Sequence, residues 1–230
     1  MVLSLRKTVL RQTLKQNKNF LILYTLFFCV AVPVIFATDK VQLHQFFNKA
    51  VQPSFNFFFE YITYLGDGLF VVAIGLILLF VNVRKSITVL LAYALSAGFT
   101  QLIKYTLFAD MDRPQLFFEK EHLPQLNLVK NLFEEQHIHN SFPSGHATAA
   151  FALFFCLGFL AERKIMEVIF FLLALLVAAS RVYLSQHFFE DVTAGSFIAV
   201  FFSSLVCGFF YFSSASKKLE RLDKPIFKLF

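Results

Sequence analysis

Two histidines, three cations, a carboxylate and a glycine turn are the residues of this chain whose types and spacing could do chemistry. They fall in three short segments: Lys104 with Arg113-Pro114, then Ser141-Phe142-Pro143-Ser144-Gly145-His146, then Ser180-Arg181 followed by His187 and Asp191. Each segment alone has an ordinary explanation. Together they have the make-up of a site that holds an anion and attacks it.

His187 and Asp191 are four residues apart, so on a helix they share a face and the carboxylate can bond one ring nitrogen. Such a bond fixes the tautomer and leaves the other nitrogen to attack, as in nucleophilic catalysis. The bland alternative is a capped, satisfied histidine. Pro143 to His146 precede an apolar run and read as a helix start with Ser144 as N-cap. Helix N-terminal amides make an anion site, and Gly145 lets backbone approach a ligand closely; an ordinary cap with a glycine turn is the competing reading. Arg113, held extended by Pro114, offers a planar fork suited to phosphate oxygens, and Lys104 adds a point charge, although snorkelling alone could account for that lysine. His146 is placed to protonate a departing oxygen, so two histidines divide the work of attack and leaving-group protonation, while Arg181 and the other cations hold the equatorial oxygens. Nothing in this set requires a metal or another cofactor.

The other titratable residues read as less central. His137 and His139, near Glu134 and Glu135, are either solvated loop residues or a metal site. His44 and His122 have no partners in the sequence, and Asp110 and Asp112 read as electrostatic restraints on Arg113.

These groups must be positioned by elements immersed in lipid. With 57% hydrophobic residues and 34 phenylalanines in 230, and a mean hydropathy of +0.65, the chain carries more apolar surface than a soluble domain of this size could bury. Apolar runs at about 20–37, 68–83, 86–108, 147–161, 165–184 and 192–212 predict six transmembrane helices, since about 20 residues cross a bilayer. Basic residues collect at alternate boundaries: Arg6 to Lys18, Arg84-Lys85, Arg163-Lys164 and Lys217 to Lys228. They make up 14 of the 21 Lys and Arg, and 11 of the 15 acids fall on the opposite side. By the positive-inside rule both termini are cytoplasmic and the three segments meet at the outer face. The net charge of +6 is then a topology signal, with no need of nucleic acid. The first run follows a long basic leader without a small-x-small cleavage site, so an uncleaved helix is expected.

The expected layout is a basic cytoplasmic segment at 1–19, one six-helix membrane domain at 20–212 and a basic cytoplasmic tail at 213–230. Outer loops fall at about 39–67 and 109–145. The first is amphipathic and aromatic-rich, which suits an interfacial segment; the second is polar and long enough to carry function. The fourth run, Ala147 to Ala161, spans only about 22 Å against a hydrocarbon core of about 30 Å, which would sink the site slightly below the outer interface.

The three segments, with Ser180-Arg181-Val182-Tyr183-Leu184-Ser185-Gln186-His187-Phe188-Phe189-Glu190-Asp191 as the most extended, resemble the type-2 phosphatidic acid phosphatases, relatives of glucose-6-phosphatase and the vanadium haloperoxidases. The resemblance covers most of residues 60–212. It implies an all-α integral membrane protein with a phosphatase-type helical-bundle core. It also implies a phosphohistidine on His187, oriented by Asp191, with His146 as acid and then base, and Lys104, Arg113, Ser144, Gly145 and Arg181 around phosphate. The implied activity is metal-independent hydrolysis of a lipid mono- or diphosphate such as polyprenyl diphosphate, phosphatidate, phosphatidylglycerol phosphate or a lipid A phosphate, in a bacterial inner membrane. A phosphotransferase of the same family and a non-catalytic lipid-phosphate carrier are the alternatives. One departure stands out: the family's first motif has six residues between Lys and Arg-Pro, and Tyr105 to Asp112 makes eight. Two extra residues turn a continuous helix by about 200°. Either the chain bulges between them or Lys104 is not the equivalent lysine.

Overall fold

The structure is a computed structural model and describes residues 9, 11–129 and 139–228. Among these residues it is helical, with no strand. Helix α1 (Lys18–Ala37) is followed by two short helices, α2 (Lys40–Asn48) and α3 (Pro53–Ile62), and a 3-10 turn at Thr63–Gly66. Then come α4 (Gly68–Leu79), α5 (Val83–Leu107), short α6 (Pro114–Lys120), α7 (Gly145–Leu160), α8 (Lys164–Tyr183), α9 (Phe189–Phe212) and α10 (Ser216–Leu219).

Helix α7 is the axis of the bundle because it is apolar on every side, and such a helix is stable only when neighbours surround it. Ala147, Ala150, Phe151, Ala152, Leu153, Phe155 and Cys156 are fully hidden, and α5, α8 and α9 pack directly on it. The alanines let these helices approach closely. Phe20 of α1 closes another side, edge-on to Phe151, Phe155 and Phe171. The end of the bundle away from the candidate site is pinned by polar contacts. Asn17 Nδ2 donates to Phe155 O at 3.0 Å, and buried Glu167 accepts from the Asn19 amide at 2.8 Å and Lys164 Nζ at 2.6 Å. Arg84 donates to Asp223 Oδ2 at 2.6 Å and to the Phe210 carbonyl, fastening the C-terminal segment to the start of α5.

The outer faces are apolar. On α9, Phe197, Phe201, Leu205 and Phe209 are all about half exposed at four-residue spacing, and Leu26, Val30 and Phe36 of α1 are more exposed still. Stripes of this length are not left to water; they are lipid faces. Four of the described helices, α1, α5, α8 and α9, are long and apolar enough to cross a membrane. A fifth candidate pairs Pro53–Gly66 with Gly68–Leu79, bent by 55°.

This differs in detail from the pattern of apolar runs. The expected second crossing at 68–83 contributes a helix of only 12 residues, because Asp67 caps a new start and the preceding segment meets it at an angle. The expected fourth is α7, a shorter apolar helix of 16 residues. The loop at 39–67 is largely helical, with Asp39 capping α2 through the amides of Val41 and Gln42, and the loop at 109–145 contains α6.

Candidate active site

At one end of the bundle the C-terminus of α8 turns into the N-terminus of α9 and brings His187 against Asp191. The carboxylate sits in the first turn of α9. Its Oδ2 accepts from His187 Nδ1 at 3.2 Å, from the Phe188 amide at 2.9 Å and from Ser141 Oγ at 2.5 Å. Both His187 and Asp191 are buried. Three donors on one oxygen fix the carboxylate, and the carboxylate fixes the ring with Nδ1 as donor, so Nε2 is the nitrogen available for attack. Burial, and then the positive charges of Arg113, Arg181 and Lys104 with His146, hold His187 well below the ordinary histidine range. A neutral imidazole at neutral pH is the nucleophilic form.

The turn itself is tight. The amides of Gln186 and His187 both donate back to the Arg181 carbonyl, at 2.9 and 3.2 Å, around Ser185 at a φ of 52°. Arg181, also buried, donates from a guanidinium nitrogen to Thr63 Oγ1 at 2.7 Å, which ties the last turn of α8 to the 3-10 turn before α4.

The Lys104 to Arg113 spacing is resolved by a break in the helix. Helix α5 ends at Leu107, a turn follows with the Met111 amide on the Phe108 carbonyl at 3.2 Å, and Arg113 is extended (φ −74°, ψ 161°). The two side chains then reach consecutive carbonyls of one segment: Lys104 Nζ donates to Asn140 O at 2.9 Å, and Arg113 Nε to His139 O at 3.1 Å. Arg113 also donates to Gln186 Oε1 at 2.9 Å, beside His187. Lys104 and Arg113 are therefore brought together despite the eight intervening residues.

The start of α7 completes the arrangement. Ser144 is its N-cap, accepting from the Ala147 amide at 3.4 Å, and its own amide donates to the Asp191 carbonyl at 3.0 Å, which locks the two helix starts side by side. Two glycines make this closeness feasible: a Cβ at Gly195 would lie 2.5 Å from Ser144 O, and one at Gly66 2.8 Å from His146 O. A Cβ at Gly145 would meet nothing within 4 Å, so the space over this helix start is open. His146 lies in the first turn, partly buried. A cleft of about 240 Å³ lined by Lys40, Asp112, Lys120, Glu190 and others reaches Ser141 and Asp191, the carboxylate side of the pair.

All eight residues singled out from the sequence, Lys104, Arg113, Ser144, Gly145, His146, Arg181, His187 and Asp191, thus meet at one end of the bundle. Others behave differently from expectation. Asp112 also bonds Lys120 and His139, at 2.7 and 2.9 Å. His44 does have a partner, Ser185, 3.2 Å away. His137, Glu134 and Glu135 lie outside the described residues. Ser141, Gln186 and Thr63 were not assigned roles from sequence, yet they hold Asp191, Arg113 and Arg181 respectively. The first two stand beside residues already singled out; Thr63 is over a hundred positions from its partner and carries no sequence signal.

Fold and site together define the class: an integral membrane phosphatase. The model of the PAP2 superfamily matches residues 85–214, and the chain belongs to that superfamily. Among solved structures it is similar to LpxE from Aquifex aeolicus, at 26% identity and a TM-score of 0.63 over 72% of this chain and 92% of that one. It also shares its fold with the first transmembrane PAP2 type phosphatidylglycerolphosphate phosphatase from Bacillus subtilis, at 24% identity and a TM-score of 0.56 over 82% and 94% of the two chains. No curated protein matches the chain.

Proposed function

We propose that the protein is a lipid phosphatase that works through a phosphohistidine on His187 at the extracytoplasmic face of a bacterial inner membrane. The observation that carries this reading is the Asp191 carboxylate holding His187 by Nδ1 amid the charges of Lys104, Arg113 and Arg181. In the first step His187 Nε2 attacks phosphorus, the bond to the lipid oxygen breaks, and that oxygen takes its electron pair and a proton from His146. Asp191 stabilises the cationic ring so formed. In the second, His146 takes a proton from water as its oxygen attacks phosphorus, the P–N bond breaks and inorganic phosphate leaves. The three cations and the amides around Ser144 and Gly145 hold the phosphoryl oxygens as charge spreads over them. No step uses a metal.

The substrate class is a membrane lipid carrying a terminal mono- or diphosphate: polyprenyl diphosphate, phosphatidate, phosphatidylglycerol phosphate or a lipid A phosphate. A site at the ends of apolar helices suits a molecule whose tail stays in lipid. The basic segments at 1–19 and 213–230 support cytoplasmic termini around one membrane domain at 20–212, crossed six times if the bent pair and α7 are both spans. At 16 residues α7 is about 24 Å long, short of the hydrocarbon core, which supports a site just below the outer interface. The test is phosphate release from a panel of lipid phosphates by purified protein with chelator present. Turnover by His187→Ala at the wild-type rate would sink the mechanism. Loss of turnover in His187→Asn with lipid binding retained would support catalysis over carriage.

A further inference from the structure

Helix α2 lies across the turn that carries His187, and its two buried polar residues both reach that turn. His44 Nε2 is 3.2 Å from Ser185 Oγ, and Asn48 Nδ2 donates to the same hydroxyl at 3.3 Å. Asn48 is itself anchored, accepting from the Asn127 amide at 2.8 Å and donating to the Asn127 carbonyl at 3.1 Å. The His44 ring is wedged against Phe118 and Phe188, with centroids at 5.7 and 5.2 Å. All three residues are at most 5% exposed.

Ser185 occupies the left-handed region, φ 52°, at the point where α8 ends and the chain doubles back on the Arg181 carbonyl. Glycine is the residue for which that conformation is easy, and it is the common choice just past a helix end. A serine there is disfavoured by its Cβ and earns its place only through its hydroxyl. That hydroxyl makes its contacts with α2. One residue further on, Gln186 holds Arg113, and the next is His187. Burial also keeps His44 low, at about 4, so the ring is neutral at neutral pH and adds no charge beside the cations of the site.

We propose that His44, Asn48 and Ser185 are positioning residues for the phosphatase reaction: they clamp the turn that presents Gln186 to Arg113 and His187 to phosphorus. The assignment rests on His187 being the nucleophile. It makes α2 part of the working machinery in addition to a cover over the bundle end.

The experiment uses the full chain in detergent micelles with short-chain phosphatidate, and His187→Ala as the blank. His44→Phe keeps a ring between Phe118 and Phe188 but removes both nitrogens; His44→Gln restores a polar group near Nε2. His44→Phe should lower kcat about tenfold with KM within about twofold, the size of effect expected when a reacting group is slightly misplaced. His44→Gln should recover to within about threefold of wild type. Ser185→Gly suits the backbone and should remain folded, lose as much rate as His44→Phe, and add nothing to it in the double variant. A wild-type kcat in His44→Phe, no rescue by Gln, or additive losses would overturn the proposal. Hydrogen exchange separates it from the reaction: amides 184–188 should exchange faster in His44→Phe while those of 147–158 do not change. If the wild type releases no phosphate from phosphatidate or from any other lipid phosphate of the panel, the lipid phosphatase reading fails and the exchange result alone decides the clamp; unchanged exchange at 184–188 would refute it.

Discussion

Replacing Asp191 with asparagine tests the reaction where the geometry is most explicit. Oδ2 accepts from His187, Phe188 and Ser141, and an asparagine oxygen in the same place can accept from all three, so the turn is retained. What is lost is the negative charge facing the ring. At the 3.2 Å separation of Nδ1 and Oδ2, a full charge opposite a cationic imidazole is worth at most about 5 kcal/mol with an effective dielectric near 20. The amide dipole recovers part of this. A net loss of about 3–4 kcal/mol in the step that makes the ring cationic corresponds to a kcat lower by about 10²–10³. Asp191→Ala is the wrong variant, because it leaves the buried Ser141 hydroxyl and Phe188 amide unsatisfied at about 1–3 kcal/mol each and would confuse unfolding with chemistry. The assay is phosphate release in micelles, paired with thermal unfolding to verify the fold. Asp191→Asn with kcat within fivefold of wild type and an unchanged melting temperature would show that the charge plays no part in the rate.

Three further outcomes follow from the same geometry. Gly145→Ala places a methyl where no protein atom lies within 4 Å, so stability should hold or rise by up to about 1 kcal/mol while kcat/KM falls at least about tenfold; unchanged activity would remove Gly145 from the phosphate site. Gly195→Ala drives a Cβ to 2.5 Å from Ser144 O and should cost about 1–3 kcal/mol in unfolding free energy together with activity, whereas a variant that melts like wild type would mean that α7 and α9 separate easily there. His44 titrates near 4 when folded and near 6.5 when exposed, so between those values the unfolded chain takes up a proton that the folded chain does not. Stability should therefore fall on acidification from pH 7, by about 2 kcal/mol at pH 5 from this residue, with His187 acting in the same direction, and His44→Phe should melt with a visibly smaller drop.

Chemistry was more legible in this sequence than the course of the helices. His187 and Asp191 are four apart, and although His187 stands just before α9 and not on it, its ring still meets the carboxylate in the first turn, so the pair could be read from the spacing. Apolar runs likewise located α1, α5, α8 and α9, because a crossing helix needs a length of apolar chain and little else. They located the helix that starts at Gly68 but not the bend before it, where a capping aspartate at position 67 starts a short helix at an angle to the one before. Hydropathy records how apolar a stretch is and carries no information about where its axis bends. The clamp on Ser185 was hidden for a different reason. His44 and Ser185 are 141 positions apart, and a buried histidine in a polar, aromatic segment has no periodicity to betray its partner.

Lys104 shows how a local rule can mislead even when its arithmetic is right. Two extra residues would swing the lysine by about 200° from Arg113 if α5 continued, and that premise is what fails. The helix stops at Leu107, and the intervening residues are spent on a turn at Phe108 to Met111 and an extended stretch before Pro114. In an irregular segment side-chain direction is set by what each group can bond, and here the Asn140 and His139 carbonyls take Lys104 and Arg113 in turn. The spacing between two site residues is therefore constrained where one regular element spans both of them or where the segment between them is itself tied down. This predicts that removing one residue from the 108–111 turn would be tolerated better than removing one from within 184–188. There the Arg181 carbonyl already accepts two amides and Ser185 is held from α2, which leaves no slack to absorb the change.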